Sequence, residues 1–207
     1  MEKDWSALAA HFDDLQRRVT GPEVDREIKS ELAKLQNLGA VLELGCGNGG
    51  YTPSLLDACD SLLATDISED MLRVAKERLK GSPKVSVRQA SCYDTGLEAG
   101  AYDTVFMGNL IHVVAQPEEA MKEAHRLLKD RGRLVIVSFT PDGLSPLGKA
   151  KLIARYLRHF GPPPKGGTKF TLTSLCVFVP SCGFEIEDVH LLGDNMAKAI
   201  FMVARRR

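Results

Sequence analysis

The run Glu43-Leu44-Gly45-Cys46-Gly47-Asn48-Gly49-Gly50 follows directly on a compact apolar segment, AVLELG at 40 to 45. Glycines in such a place let the chain turn tightly and let a ligand approach the main chain where a Cβ would clash. Gly45, Gly47 and Gly50 satisfy GxGxxG, whereas Gly45, Gly47 and Gly49 satisfy GxGxG, so the loop alone leaves two kinds of nucleoside ligand open. Asp66 lies about 20 residues beyond the first glycine, at the end of a second apolar segment, where a carboxylate can accept both ribose hydroxyls. The plainer alternative is a strand-to-helix turn with Asp66 as a helix cap. Loop, acid and separation agree, however, and together favour a nucleoside. Glu43 then separates the two kinds: an acid two residues before Gly45 would face the pyrophosphate of NAD unfavourably but could hold an ammonium group.

Positioning these residues requires strands that end at one edge. The hydrophobic period alternates between helical and short strand-like segments along the chain, which is an α/β signature. Two helices open it, Asp4 to about Val19 and Glu23 to Leu38, with Ile28, Leu32, Leu35 and Leu38 on one stripe. Strand 40 to 45 follows, then a helix from Thr52-Pro53 to about Cys59. Strand 61 to 66 comes next, then a helix capped by Ser68 that runs to about Lys80. Strands at Lys84 to Gln89 and Tyr102 to Met107, a helix from Pro117 to Leu128 and a strand from Gly132 to Phe139 continue the rhythm. Residues 141 to 170 break it with one amphipathic helix between Pro/Gly clusters and read as an insertion. A helix from Thr171 to Cys182, weakened by Pro180, precedes strands Glu185 to Leu192 and Ala197 to Val203, joined by the turn Gly193-Asp194-Asn195.

The 207 residues carry 27 Lys+Arg against 27 Asp+Glu, enough chain for one full core and short for two. Charge balance argues against a nucleic-acid partner, because neutralising phosphates needs a surplus of cations. No apolar run approaches the roughly 18 residues of a membrane span, and the charged N-terminus lacks a signal-peptide core. The five cysteines (Cys46, Cys59, Cys92, Cys176, Cys182) form no CxxC pair, which fits reduced thiols in a cytoplasmic protein and no metal site.

With these motifs in place the sequence resembles the class I S-adenosylmethionine-dependent methyltransferases, whose first motif is a strand followed by [E/D]xGxGxG, here VLELGCGNG. ATDIS at 64 to 68 is similar to the family's second acidic motif, and Ala101-Tyr102-Asp103-Thr104-Val105 to its fourth strand. LLKDRGRLVI at 127 to 136 is similar to its LLKPGG.LVI segment, with Asp130 and Arg131 in place of Pro and Gly. CGFEIEDV at 182 to 189 resembles the entry to its antiparallel final strands. The resemblance covers about Val41 to Arg205. It implies one Rossmann-like, mostly parallel seven-stranded sheet in the order 3-2-1-4-5-7-6, with a C-terminal antiparallel hairpin and helices on both faces. Residues 1–207 would form a single domain, with 1–38 as a helical cap and 141–170 as a lid.

By the same resemblance, Gly45, Cys46, Gly47 and Gly49 would wrap the methionine part of S-adenosylmethionine. Glu43 would reach its amino group directly or through water, and Asp66 would bind the ribose. Ile67 and Met71 would pack on the adenine. Ser91 stands where the family usually has an acid, which leaves adenine recognition to lean on the Cys92 backbone. Asn109 would lie beneath the methionine moiety. His112, one turn further on, is the candidate general base or acceptor-orienting group, against the plainer reading of a satisfied structural histidine. His11, Tyr93, Asp94 and His159 are further polar candidates, each more simply read as surface or packing residues.

The end of strand four, Met107-Gly108-Asn109-Leu110-Ile111, lacks the (D/N)PP(Y/F) signature of methyltransferases acting on planar amino groups. A small-molecule acceptor is the expectation. Trp5, Leu8, Phe12 and Leu15 form an apolar stripe that could close over the site, although core packing explains it as well. Within the insertion Ile153, Tyr156, Leu157 and Phe160 share one face, and Lys151, Arg155 and Arg158 share another that suits an anion, a lipid headgroup or plain solvent. Pro162 to Pro164 and Gly166-Gly167 bracket a candidate hinge. The alternatives are an NAD-dependent Rossmann oxidoreductase and a non-catalytic S-adenosylmethionine-binding module. The attacking atom and the oligomeric state stay open.

Overall fold

Successive residues of the central strands lie on opposite faces of one sheet, and this period of two builds two cores. Val41, Phe106, Val135, Val137 and Phe201 belong to one, and Leu42, Leu44, Val105, Met107, Leu134 and Ile136 to the other. The computed structural model describes residues 5–163 and 166–207. Its strands are β1 (Gly39–Leu44), β2 (Cys59–Asp66), β3 (Val85–Gln89), β4 (Tyr102–Gly108), β5 (Leu128–Thr140), β6 (Phe184–Gly193) and β7 (Lys198–Arg206). They form one sheet in the order β3-β2-β1-β4-β5-β7-β6, with β1 to β5 parallel and β7 antiparallel to both β5 and β6. This is the expected Rossmann-like sheet and hairpin.

The helices are α1 (Phe12–Thr20), α2 (Pro22–Lys34), α3 (Glu69–Arg78), α4 (Pro117–Leu127), α5 (Pro146–Phe160) and α6 (Leu172–Ser181). Val24, Ile28 and Leu32 of α2 with Leu72 and Ala75 of α3 cover the first face, and residues of α4 and α6 such as Met121, Leu127, Leu175 and Val179 cover the second. In α3 the Ser68 hydroxyl accepts the Met71 N–H at 3.3 Å, and Glu69 and Asp70 open a helix that ends with Lys76 and Arg78, in accord with its dipole.

Three sequence expectations are corrected. Between β1 and β2 only a 3-10 turn forms, Thr52–Leu55, because the Thr52 hydroxyl donates to the Glu43 carboxylate at 2.6 Å and caps no helix. The first expected helix is a 3-10 turn (Ser6–His11) followed by α1, with Asp4 outside the described residues. The second stops at Lys34, since Leu35 is extended and Asn37 has φ 55°, so Leu38 enters the core from a connecting segment. Arg131 has φ 61°, a left-handed geometry in which glycine is unstrained, so the departure from the Gly of the resembled segment puts a strained residue inside the first half of β5.

Candidate functional site

Strand order reverses between β1 and β4, and ligands of open α/β sheets sit at the carboxyl ends of strands at such a crossing. The glycine loop leaves the end of β1, Asp66 ends β2, and Asn109 follows β4, so the sheet brings all three to one edge. Gly45, Gly47 and Gly49 have φ of 68°, 55° and 74°, which explains why the loop is built from glycines. At Gly45 a Cβ would lie 2.5 Å from Leu110 Cδ1, so the turn after β4 packs directly on the loop. At Gly47 a Cβ would meet nothing within 4 Å, so the main chain there faces open space.

Asp66 ties the loop to the second strand. Its Oδ2 accepts the Gly47 N–H at 2.8 Å and its Oδ1 the Ser68 N–H at 2.9 Å. Burial raises its pKa, and the backbone N–H donors of Ser68, Gly47 and Ile67 oppose that rise. Beside it Ile67 is 64% exposed, an apolar shelf at the strand end, whereas Met71 is buried in α3. Ser91 follows β3 and its hydroxyl accepts the Tyr93 N–H at 3.2 Å; Cys92 is half-buried against the second core.

Glu43 is 1% exposed, and its carboxylate accepts the Thr52 hydroxyl at 2.6 Å. Burial pushes its pKa up from the usual 4.5 to about 8, with the Thr52 hydrogen bond lowering it and the Asp66 charge raising it further. Cys46 is buried, and burial together with Glu43 and Asp66 pushes its thiol far up, so it is no nucleophile.

Asn109 takes φ 57°, donates its backbone N–H to the Val137 carbonyl at 2.8 Å, accepts the Phe139 N–H at 3.2 Å and donates Nδ2 to the Tyr51 hydroxyl at 3.1 Å. That hydroxyl also accepts from Gln16 Nε2 at 3.2 Å, so α1 reaches the end of β4 through one tyrosine. A parallel clasp joins α1 to the loop and to α3: Asp13 accepts from Asn48 Nδ2 at 2.7 Å and pairs with Arg78, which also donates to Asn48 Oδ1 at 3.2 Å. Tyr51, Thr52, Asn48, Asp13 and Gln16 were not among the sequence candidates. Asn48 lies between two of the glycines and Thr52 two residues after the last, and that adjacency was the available signal.

His112 lies in the turn after β4, its Nδ1 3.1 Å from the buried Ser138 hydroxyl and its ring edge-on to Phe139 with centroids 6.1 Å apart. Burial pulls its pKa down from 6.5 to about 4, so the imidazole is neutral at physiological pH. Gly167 crosses this turn so closely that a Cβ would lie 2.8 Å from the His112 carbonyl oxygen. The candidate hinge therefore rests on the site at its glycine end, while Pro164 lies outside the described residues. The other polar candidates are placed elsewhere. His11 and His159 line a separate cleft of about 380 Å³ between the N-terminal segment and α5. The Tyr93 hydroxyl accepts the Ala115 and Gln116 N–H groups, and Asp94 the Gly96 N–H.

The expected apolar stripes meet only in part, since Ile153 and Leu157 stand exposed and only Tyr156 and Phe160 of the α5 stripe turn inward. Trp5 and Phe12 pack on Phe160 at centroid distances of 5.6 and 5.9 Å, and Tyr156 on Phe160 at 5.3 Å. Arg155 is withdrawn from the proposed basic face, because it donates to the carbonyls of Val19 at 2.8 Å and Met196 at 2.7 Å. Among the described residues no group of three or more His, Cys, Asp or Glu is placed to hold a metal ion.

Residues 42–136 match a family described as a methyltransferase domain. The chain is 34% identical over 168 residues to an uncharacterized methyltransferase-like protein of Schizosaccharomyces pombe, covering 76% of this chain and 64% of that one. It is 29% identical over 154 residues to the ubiquinone/menaquinone biosynthesis C-methyltransferase UbiE of Geotalea uraniireducens, covering 70% of this chain and 65% of the relative. The chain thus spans just under two thirds of the length of each. A solved S-adenosylmethionine-dependent methyltransferase from Aquifex aeolicus superposes with a TM-score of 0.73 over 99% of this chain and 100% of its own, at 19% identity.

Proposed function

We propose that the chain is a class I S-adenosylmethionine-dependent methyltransferase and that it moves the cofactor's methyl group to a small-molecule acceptor. The observation that carries this reading is the open face of Gly47 beside an Asp66 carboxylate at the sheet's crossing point. The residues suit the cofactor. The main chain at Gly47, which carries no Cβ and faces open space, can lie against its methionine portion, Asp66 keeps lone pairs for ribose hydroxyls, and the exposed Ile67 offers a surface for adenine.

When bound, the cofactor supplies a methyl group on a positively charged sulfur, transferred by in-line displacement, so the protein's task is alignment and exclusion of water. Asn109, held by Tyr51 and the Phe139 N–H, fixes the floor of the site. A base whose conjugate acid has a pKa near 4 removes protons poorly from phenols or thiols. His112 is therefore an orienting group, its ring held by Ser138. Residues 1–38 act as the cap and 141–170 as the lid of one domain. Relatives named for quinone biosynthesis support a small acceptor, as does the balance of acidic and basic residues. No helix among the described residues is long and apolar enough to cross a membrane.

Calorimetric titration with S-adenosylhomocysteine and with NAD tests the cofactor, and the expected result is binding of the first alone. Asp66→Ala lowers that affinity by about 1 to 3 kcal/mol, the value of hydrogen bonds to a charged group. Tight binding of NAD, or unchanged affinity in the variant, overturns the assignment. Labelled-methyl transfer to phenols, thiols, amines and carboxylates then identifies the acceptor.

A further inference from the structure

Helix α5 carries Lys149, Lys151, Arg155 and Arg158 and no acidic residue, and none of its 15 residues is buried. Its inward side is accounted for by Tyr156 and Phe160, which meet the N-terminal aromatics, and by Arg155, which clasps two backbone carbonyls. The outward side is apolar. Leu147, Ala150, Ile153, Ala154 and Leu157 recur at the three- and four-residue spacing that sets side chains on one face of a helix. All five are exposed, with Leu147 at 65%, Ile153 at 57% and Leu157 at 48%. These are three of the six large hydrophobic side chains that stand exposed among the described residues. Lys149, Lys151 and Arg158, also exposed, flank the stripe.

We propose that the outer face of α5 is a docking surface for an anionic lipid bilayer, on which the helix lies in the interface plane. An apolar stripe bordered by cations is what such a position demands: the stripe sits at the headgroup and acyl boundary, and the flanking ammonium and guanidinium groups meet lipid phosphates. Charge decides between this occupant and a second copy of the chain. Two α5 helices packed stripe to stripe would bring Lys149, Lys151 and Arg158 against their own counterparts with no acid on the helix to offset them, whereas a bilayer with acidic headgroups complements all of them. The inference does not depend on the methyl-transfer reading, since the stripe lies on the side of α5 opposite its contacts with the N-terminal segment. If both hold, docking brings the lid and cap to a lipid surface.

Co-flotation with vesicles tests the proposal. The protein is expected to float with vesicles of phosphatidylcholine and phosphatidylglycerol and to stay unbound with phosphatidylcholine alone. Raising the salt from about 0.1 M to about 1 M, which shortens the screening length from about 10 Å to about 3 Å, should release most of it. The double variant Ile153→Asp/Leu157→Asp should reduce vesicle binding at least tenfold. Lys151→Glu/Arg158→Glu should do the same while leaving the apolar stripe in place. Each variant is first shown to keep the wild-type melting temperature and S-adenosylhomocysteine affinity. All four substituted residues are exposed. Absence of flotation with acidic vesicles, binding unaffected by either pair, or a concentration-dependent dimer in light scattering that the first pair abolishes would each overturn the proposal.

Discussion

Replacing Glu43 with glutamine should stabilise the protein in alkali and weaken its hold on the cofactor. The carboxyl is 1% exposed, and burial moves its pKa from 4.5 to about 8. Between those two values the unfolded chain has released this proton and the folded chain has kept it. The folded state then binds one proton more, and stability falls as pH rises through the window; above about 8 both states are ionised and the loss is complete. At about 1.4 kcal/mol per pH unit, the whole interval corresponds to about 5 kcal/mol. Glu43→Gln removes the titration and keeps an oxygen to accept from Thr52. Urea unfolding of both proteins at about pH 6 and about pH 9 isolates this group, because every other titration cancels in the difference. The advantage of the variant should grow by about 3 kcal/mol between the two conditions. A difference that is flat with pH would mean that Glu43 ionises normally and that its burial is not decisive. The same variant should bind S-adenosylhomocysteine about tenfold more weakly, about 1.4 kcal/mol, because an ionised Glu43 behind Thr52 is favourable only when an ammonium group lies nearby. Stability and affinity therefore move in opposite directions, an outcome that general damage to the fold cannot produce.

Two further outcomes follow from the site. Gly47→Ala places a methyl group in open space at φ 55°, so the backbone cost is about 1 to 2 kcal/mol, while cofactor affinity should fall by more than tenfold. Thermal unfolding and titration calorimetry separate the two, and a large loss of stability with full binding would refute the placement of the ligand. For His112, whose pKa lies near 4, the rate profile at saturating cofactor should show no limb near 6.5, and His112→Gln should lower kcat/KM without changing the profile's shape around neutrality. A limb near 6.5 that disappears in the variant would restore the histidine as a base of ordinary strength.

The sheet was legible because its information is local. The cores of β1, β2 and β4 are short apolar runs, β3 alternates, and only the apolar second half of β5 showed itself, its first residues Leu128 to Arg131 being largely polar; the loop announces itself through glycines whose φ values other residues resist. What stayed hidden depends on contacts between distant residues. Thr52-Pro53 has the form of a helix start, yet the hydroxyl is drawn to Glu43, nine positions back and on another element. Arg155 reads as one member of a solvated basic face, but it reaches the carbonyls of Val19 and Met196, 136 and 41 residues away. Asn48 passes as a turn residue until α1 brings Asp13 to it. In each case a polar side chain was assigned to its sequence neighbours when the fold supplied a better partner.

These distant partners also indicate how the site is kept in shape. The glycine loop has little side-chain packing of its own, so its conformation is set by what grips it. Asp66 takes hold at Gly47, Asp13 and Arg78 at Asn48, and Leu110 presses on Gly45. One of these grips comes from the end of β2, one from α1 and α3 together, and one from the turn that carries Asn109 and His112. Tyr51 joins the two sides by accepting from both Gln16 and Asn109. Displacement of α1 would therefore loosen the loop at Asn48 and the floor of the site at Asn109 together. The N-terminal segment is in this sense a part of the candidate site, although none of its residues belongs to the motifs that carry the resemblance.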